Sequence, residues 1–313
     1  MKKLLLLIAT FALVFVWACD APVTPPVTPP SAPADSPSSG ECDRACLLNF
    51  VDNYLNALAD RDPSQINVSG SLKYMDNGVE AQLGEGLWKT AVRLDNDRRL
   101  DFADPVQKNV ASQVLLYEAG SSDGEATGGC GNVGADETGN TPVIYQVRLK
   151  VENNLITEIE SMTVRAKNAA NGFFVPKNME PESVFTQDPA IPAGSKKMSR
   201  AELVTLLDQY VDYLEGTVKG PEIAWDDKCK RYENGMITAG GKTAFEMQNM
   251  WRFNVTRRYP IIDEEAGIIW GVLPFYPWNY TLVVGEAFKM YDDKIVMIQA
   301  VMNWQPYKKD TWE

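Results

Sequence analysis

One helix-then-turn pattern occurs twice in this chain, and the second copy begins about 157 residues after the first. The first copy reads ACLLNFVDNYLNAL, then KYMDNG; the second reads AELVTLLDQYVDYL, then KRYENG. Asp52, Tyr54 and Leu58 fall on Asp208, Tyr210 and Leu214, and Asp76-Asn77-Gly78 falls on Glu233-Asn234-Gly235. A long-period repeat means that one unit of structure is built twice, so it constrains domain count and fold class before any motif does. It also sets a carboxylate beside an Asn-Gly turn in each half.

The N-terminus reads as an export signal. Lys2 and Lys3 precede a short apolar run over residues 4–16, followed by Val16-Trp17-Ala18-Cys19. That run is too short for a spanning helix and has the flanks of a signal peptide. Cys19 after a small residue resembles a bacterial lipobox, in which this cysteine is lipidated. Asp20 resembles an inner-membrane retention signal. The expected address is therefore the cell envelope, with a lipid anchor on the periplasmic side. Residues 20–40 are Pro, Ser, Thr and Ala with almost no large apolar side chain, which predicts an extended tether.

Composition narrows the chemistry. The chain carries a net charge of −12, with no cluster of Lys and Arg, which argues against nucleic acid as a partner. It contains no histidine, so any acid–base step falls to carboxylates, Tyr, Lys or Cys. Cys42, Cys46, Cys130 and Cys229 belong to an oxidising compartment on this reading. In a regular helix Cys42 and Cys46 would have Cβ atoms roughly 6 Å apart, beyond the roughly 4 Å that a disulfide needs. Either Cys42 lies in a non-helical lead-in, or one of the two reaches Cys130. No second close Cys pair supports a zinc site. The glycines near residue 130 lack the Lys-Ser/Thr of a phosphate loop, so no cofactor is expected.

The first repeat spans residues 41–167, with a helix over 44–59, a second helix over 88–94, and strands over 100–103, 110–118, 143–151 and 155–164. Residues 168–198 form a linker that Phe173, Phe174 and Val175 pin to a surface. The second repeat spans residues 199–313. Ser199 followed by Glu202 marks a capped helix through Leu214. A further helix is expected over 243–250, with strands over 255–262, 267–275, 280–291 and 295–304.

Helices followed by antiparallel strands, twice, make an α+β protein. The segments LKYMDNG…LGEGLWKTA and YQVRLKVENNLITEIESM resemble the SnoaL-like branch of the nuclear-transport-factor-2 superfamily. More narrowly, the tandem arrangement resembles an exported family of unassigned function. The resemblance implies two tandem cone-shaped, curved antiparallel sheets, each closed by helices. They would pack sheet to sheet as an intramolecular pseudo-dimer in a monomeric chain. It also implies that the turn after the helix pair borders a pocket.

Asp76 and Glu233 sit at those turns, where a carboxylate at an apolar mouth can serve as a general acid or base. Arg231 and Glu233 share one face of a strand by alternation; Tyr74 is the further catalytic candidate beside Asp76. Arg231 could anchor an anionic or carbonyl group. Tyr232, Arg257, Phe275 and Trp278 are the candidate ligand-binding residues. Alternation permits only one of Arg257 and Arg258 to face inward. The function expected is capture of a small organic molecule, with a cofactor-independent lyase or isomerase step using Glu233 as base. A non-catalytic binding module and an envelope scaffold are the alternatives.

Overall fold

The computed structural model describes residues 42–120, 136–179, 189–248, 255–276 and 280–306. Cys19, the tether, Cys130 and Trp278 lie outside the described residues. The first half runs α1 (Arg44–Asp60), β1 (Val68–Asp76), β2 (Val79–Glu80), α2 (Leu87–Thr90), β3 (Ala91–Asp104), β4 (Asn109–Glu118), β5 (Thr141–Glu152) and β6 (Leu155–Val164). The second repeats the plan with α3 (Arg200–Leu214), β7 (Trp225–Glu233), β8 (Met236–Gly240), α4 (Lys242–Met247), β9 (Arg258–Asp263), β10 (Ile268–Phe275), β11 (Tyr280–Tyr291) and β12 (Lys294–Pro306).

The apolar stripe of α1 forms as its 3–4 spacing dictates. Leu47, Val51, Tyr54, Leu55 and Leu58 are fully buried in one core with Val114, Val147, Leu149 and Ile159 of the sheet. Truncating Leu58 to Ala would cost about 2–5 kcal/mol, as large-to-small core changes do. Leu203, Leu207, Tyr210, Val211 and Leu214 of α3 pack in the same manner against Ile269, Leu273, Phe288 and Ile298.

Both sheets have six strands, in the orders β2-β1-β6-β5-β4-β3 and β8-β7-β12-β11-β10-β9. They are mixed, which corrects the antiparallel expectation: β1 pairs parallel with β6, and β7 with β12. The first strand of each half lies between its successor, which it pairs antiparallel, and the last strand, which it pairs parallel. The second helices are also shorter than expected. α2 ends at Thr90, and Val92 to Leu94 already belong to β3, paired with β4. These β-branched and alternating residues favour the ladder over another helical turn.

β4 and β10 are buried along nearly their whole length because both of their faces are covered. One face meets the helix; the other meets the opposite half. Between the sheets lie Leu100, Phe102 and Ala111 of one and Ile261, Ile268, Trp270 and Val272 of the other. At the centre of this layer Gln113 Nε2 donates to Gln146 Oε1 at 2.8 Å and to the Gly285 carbonyl at 3.1 Å, while Gln299 Nε2 donates to Gln113 Oε1 at 3.1 Å. Gly285 lets the layer close up: a Cβ there would stand 1.8 Å from Gln146 Nε2, so that side chain would have to shift.

The halves also exchange aspartates. Asp104 accepts from Arg200 Nη2 at 2.6 Å and from the Ile262 N–H at 2.9 Å. Asp263 accepts from Arg44 Nε at 3.0 Å and from the Ala103 N–H at 3.0 Å. Each aspartate is the last residue of its strand, and each arginine is the first residue of its helix.

Phe174 and Val175 are buried, and the Val175 N–H donates to the Asn234 carbonyl at 2.9 Å, so the segment between the halves is pinned as expected. Of the two options for Cys42 and Cys46, the lead-in is realised. Cys42 precedes the N-cap Asp43, and the two cysteines are bonded with Cα atoms 5.3 Å apart. Cys229 is a buried thiol whose pKa burial pushes up.

Candidate functional site

The Asn-Gly turns explain their own residues. Asn77 and Gly78 have φ of 50° and 71°, and Asn234 and Gly235 have 47° and 80°, the left-handed pair that a tight hairpin needs. The asparagine side chains then act as extra peptide groups. Asn234 Nδ2 donates to the Met302 carbonyl at 2.9 Å, and its Oδ1 accepts from the Met302 N–H at 2.9 Å. Asn77 makes the same pair of bonds to Thr163. This ladder fixes the ends of β1 and β7, and with them the directions of Asp76 and Glu233.

Alternation along β7 turns Arg231 and Glu233 toward α3 and α4. Arg231 is 4% exposed and is surrounded by acceptors. Its Nε lies 3.4 Å from Glu233 Oε1 and donates to Thr238 Oγ1 at 3.0 Å. Its Nη2 donates to Gln248 Oε1 at 3.2 Å, and its Nη1 donates to the Tyr210 hydroxyl at 3.3 Å. Tyr210 in turn donates to Glu286 Oε1 at 3.1 Å. A polar chain thus runs from Glu233, the member nearer solvent, to Glu286 in the core.

Glu286 is 3% exposed. Burial pushes its carboxyl up to about 8; Arg231 opposes the shift, Glu233 adds to it, and the Tyr210 hydrogen bond opposes it. The Tyr210 hydroxyl is held well above its usual value, first by burial and then by Glu286. Arg231 stays charged: burial disfavours the cation, but Tyr210, Glu233 and Glu286 more than offset it. Gly271 is the cross-strand partner of Glu286, and the Leu273 side chain of β10 lies over that glycine. Trp225 and Phe245, stacked with centroids 4.3 Å apart, and Phe288, edge-on to Tyr210 at 4.8 Å, give the cluster apolar walls.

The first half places different groups at the same positions. Tyr54 and Tyr145 share a hydrogen bond of 2.9 Å, and Tyr74 lies close by. Asp76 Oδ1 accepts from Ser161 Oγ at 2.9 Å and from Thr163 Oγ1 at 3.1 Å. Burial raises the Asp76 pKa; the two hydroxyls and Arg165 oppose it.

The other sequence candidates do not join Arg231. Tyr232 points to the opposite face of β7, into the layer between the sheets with Trp270 and Met297, as strand alternation requires. Arg257 precedes β9 rather than alternating within it, and binds Asp212 at 2.5 Å and Glu215 at 2.6 Å on the outer side of α3. Arg258 instead crosses to Glu160 of the first half. Phe275 ends β10 inside the apolar core. Glu286 and Tyr210 were not singled out from sequence. Tyr210 was visible in the repeat, and Glu286 is the charged residue in the otherwise apolar inward register of Val284, Phe288 and Met290.

A crevice between the halves is lined by Met75, Gln146, Glu160, Met162, Arg258 and Trp270. Its carboxylate is already neutralised, since Arg148 and Arg258 both bind Glu160 and hold its pKa down to about 2 against the effect of burial. The Glu286 cluster is therefore the better candidate for chemistry.

Residues 196–302 match a family model described as a domain of unknown function, DUF8021. No match was found among curated proteins. Among solved structures, the chain is similar to a proposed ketosteroid isomerase from Kribbella flavida, at 12% identity over 35% of this chain and 82% of that one, with a TM-score of 0.29. A proposed polyketide cyclase from a Silicibacter species is 11% identical over 38% and 89%, with a TM-score of 0.27. A proposed polyketide cyclase from Xanthomonas campestris is 11% identical over 38% and 90%, with a TM-score of 0.29.

Proposed function

We propose that the second half is a cone closed by helices that takes a small, partly apolar organic molecule. Glu286 moves a proton on it, in an isomerase or lyase step that needs no cofactor. The observation that carries this reading is a fully buried carboxyl pushed up to about 8 and tied through Tyr210 to a buried arginine. Such a group is partly protonated near neutral pH and can both accept and return a proton.

The residues divide the work. The Glu286 carboxylate takes a proton from a carbon next to a carbonyl, and the electron pair moves onto the carbonyl oxygen. Arg231 faces that oxygen and stabilises its charge. Return of the proton to another carbon gives an isomer; loss of a substituent gives an elimination product. Tyr210 orients the Glu286 carboxyl. Glu233, expected from sequence to be the base, instead holds Arg231 in place.

The test is solvent-deuterium exchange into a panel of small cyclic ketones, followed by NMR, with the full chain and with Glu286→Gln. The wild type should exchange α-hydrogens with a rate that rises through pH 8. The variant should lose roughly 10²–10⁴-fold, the usual share of a general base. Ketones that bind, but gain deuterium no faster than in buffer, would favour a binding module without chemistry.

We further propose that residues 1–19 direct export and that Cys19 carries the lipid that anchors two repeats, residues 41–167 and 199–313, at the periplasmic side of the envelope. Cys19→Ser should release the chain from the membrane fraction. Unchanged fractionation, with no acyl mass on the wild type, would overturn the anchor.

A further inference from the structure

The two long helices start differently, and each sends an arginine from its first residue into the opposite half. α3 opens with a capping box. The Ser199 N–H donates to Glu202 Oε2 at 2.7 Å, and the Ser199 hydroxyl accepts from the Glu202 N–H. α1 has no such box. Cys46 stands at the position of Glu202, three residues after the N-cap. Asp43 caps the Cys46 N–H at 2.8 Å, and the second fastening is the Cys42–Cys46 disulfide.

Arg44 lies inside that disulfide loop. Its Nε is 3.1 and 3.0 Å from the two carboxylate oxygens of Asp263, a residue 1% exposed. Asp263 also accepts from the backbone of Ala103, at the end of β3, and of Ala266, in the turn after β9. Arg44 is thus the cation of a buried knot that joins the halves. The matching knot, Arg200 on Asp104, is fastened without cysteine.

We propose that the Cys42–Cys46 disulfide is a redox-sensitive latch on the contact between the two halves: oxidised, it holds the first turn of α1 so that Arg44 stays on Asp263; reduced, it releases that turn. Both cysteines are partly exposed, so a dithiol can reach them. The dithiol supplies two electrons and two protons, the S–S bond breaks, Cys42 and Cys46 become thiols, and the reductant leaves as its own disulfide. Without its fastened arginine, Asp263 is a buried carboxylate with only backbone donors, and the seam at Ala103 and Ala266 opens more often.

The experiment is amide hydrogen exchange of the full chain, oxidised and after dithiothreitol, read at Ala103, Ala266 and Ile262. Reduction should speed exchange at Ala103 and Ala266 by about tenfold or more. It should leave Ile262, which donates to Asp104, unchanged. Arg44→Gln should exchange fast in both redox states, with no further gain on reduction. Cys42→Ser/Cys46→Ser should behave as the reduced protein, and if it does not fold, the reduction of the wild type decides. Equal rates in both redox states, a redox difference that survives in Arg44→Gln, or equal acceleration at Ile262 would each overturn the latch.

Discussion

The interiors of the two halves differ where their frames agree. Counted back from the hairpin turns at Asn153 and Asp292, Tyr145 corresponds to Val284 and Val147 to Glu286. Across the ladder, Ser161 and Thr163 correspond to Ala300 and Met302. Along the first strand, Tyr74 and Asp76 correspond to Arg231 and Glu233. These changes are coupled. Where hydroxyls from Ser161 and Thr163 hold Asp76, the second half has apolar groups, and Arg231 holds Glu233 instead. Where two tyrosines share a hydrogen bond, one becomes valine and the remaining hydroxyl turns to Glu286. A buried polar group must keep a partner, so each replacement brings another with it. One half holds its turn carboxylate with hydroxyls; the other holds it with a buried arginine.

The sharpest way to break this comparison is to remove the charge from the second half and its counterpart from the first. Arg231→Met leaves Glu233 and Glu286 without their cation and should cost about 3–5 kcal/mol, the usual result of unpairing a buried charge. Tyr74→Phe removes one hydroxyl and should cost about 0.5–1.5 kcal/mol. Urea unfolding measures both; equal costs would mean that the charged cluster is not a distinct feature. The Arg231 cost should also depend on pH. Folded Glu286 binds its proton up to about 8, whereas an unfolded glutamate releases it near 4.3, at about 1.4 kcal/mol per unit of difference. The stability from the protonated carboxyl is therefore complete below about pH 4.3 and is lost as pH rises through about 8. Arg231→Met should be least harmful at pH 5 and most harmful above pH 8. Glu286→Gln should flatten that slope.

A smaller effect tests whether the difference depends on how the halves pack. Gly285 is one residue from Glu286 but faces the other way, against Gln146 of the first half. Gly285→Ala forces its Cβ into that amide and should cost about 1–3 kcal/mol, typical of overpacking. Melting curves of the variant would show it. A neutral result would mean that the glutamine layer can shift, and that the second interior is not braced by the first.

The frame was legible in the sequence because it rests on local rules. The α1 stripe, the Ser199–Glu202 cap and the long hairpins around Asn153-Asn154 and Asp292-Asp293 follow from periodicity and turn chemistry, and they stand where expected. The parallel pairing of β1 with β6 was not legible, because no local signal records which edge a strand joins. The site was half legible. Arg231 and Glu233 lie two apart on one strand and do meet. Glu286 comes to them from more than fifty residues away in sequence, through the β7–β12–β11 order, so only the topology connects them. Tyr232 and Arg257 were named for their chemistry and are diverted by geometry, one by strand alternation and the other by lying just outside β9.

Arg257 gives the mildest prediction, and it sets the outer limit of the charged interior. It is ringed by Asp208, Asp212 and Glu215 at 3.3, 2.5 and 2.6 Å, which could suggest a site as strong as that of Arg231. Exposure decides otherwise. The Arg257 side chain is 28% exposed and its partners 25–43%, so water and salt screen every one of these pairs. Arg231 is 5% exposed at the side chain and has no such relief. Pairs of the Arg257 kind contribute about 0–1 kcal/mol. Arg257→Ala should therefore lower stability by no more than that, should lose even this effect in 0.5 M salt, and should leave proton exchange by Glu286 unchanged. Arg231→Met should keep most of its cost in the same salt. If Arg257→Ala instead slows exchange as Glu286→Gln does, the charged cluster extends through α3 to the surface, and no boundary separates an interior site from a solvated helix face.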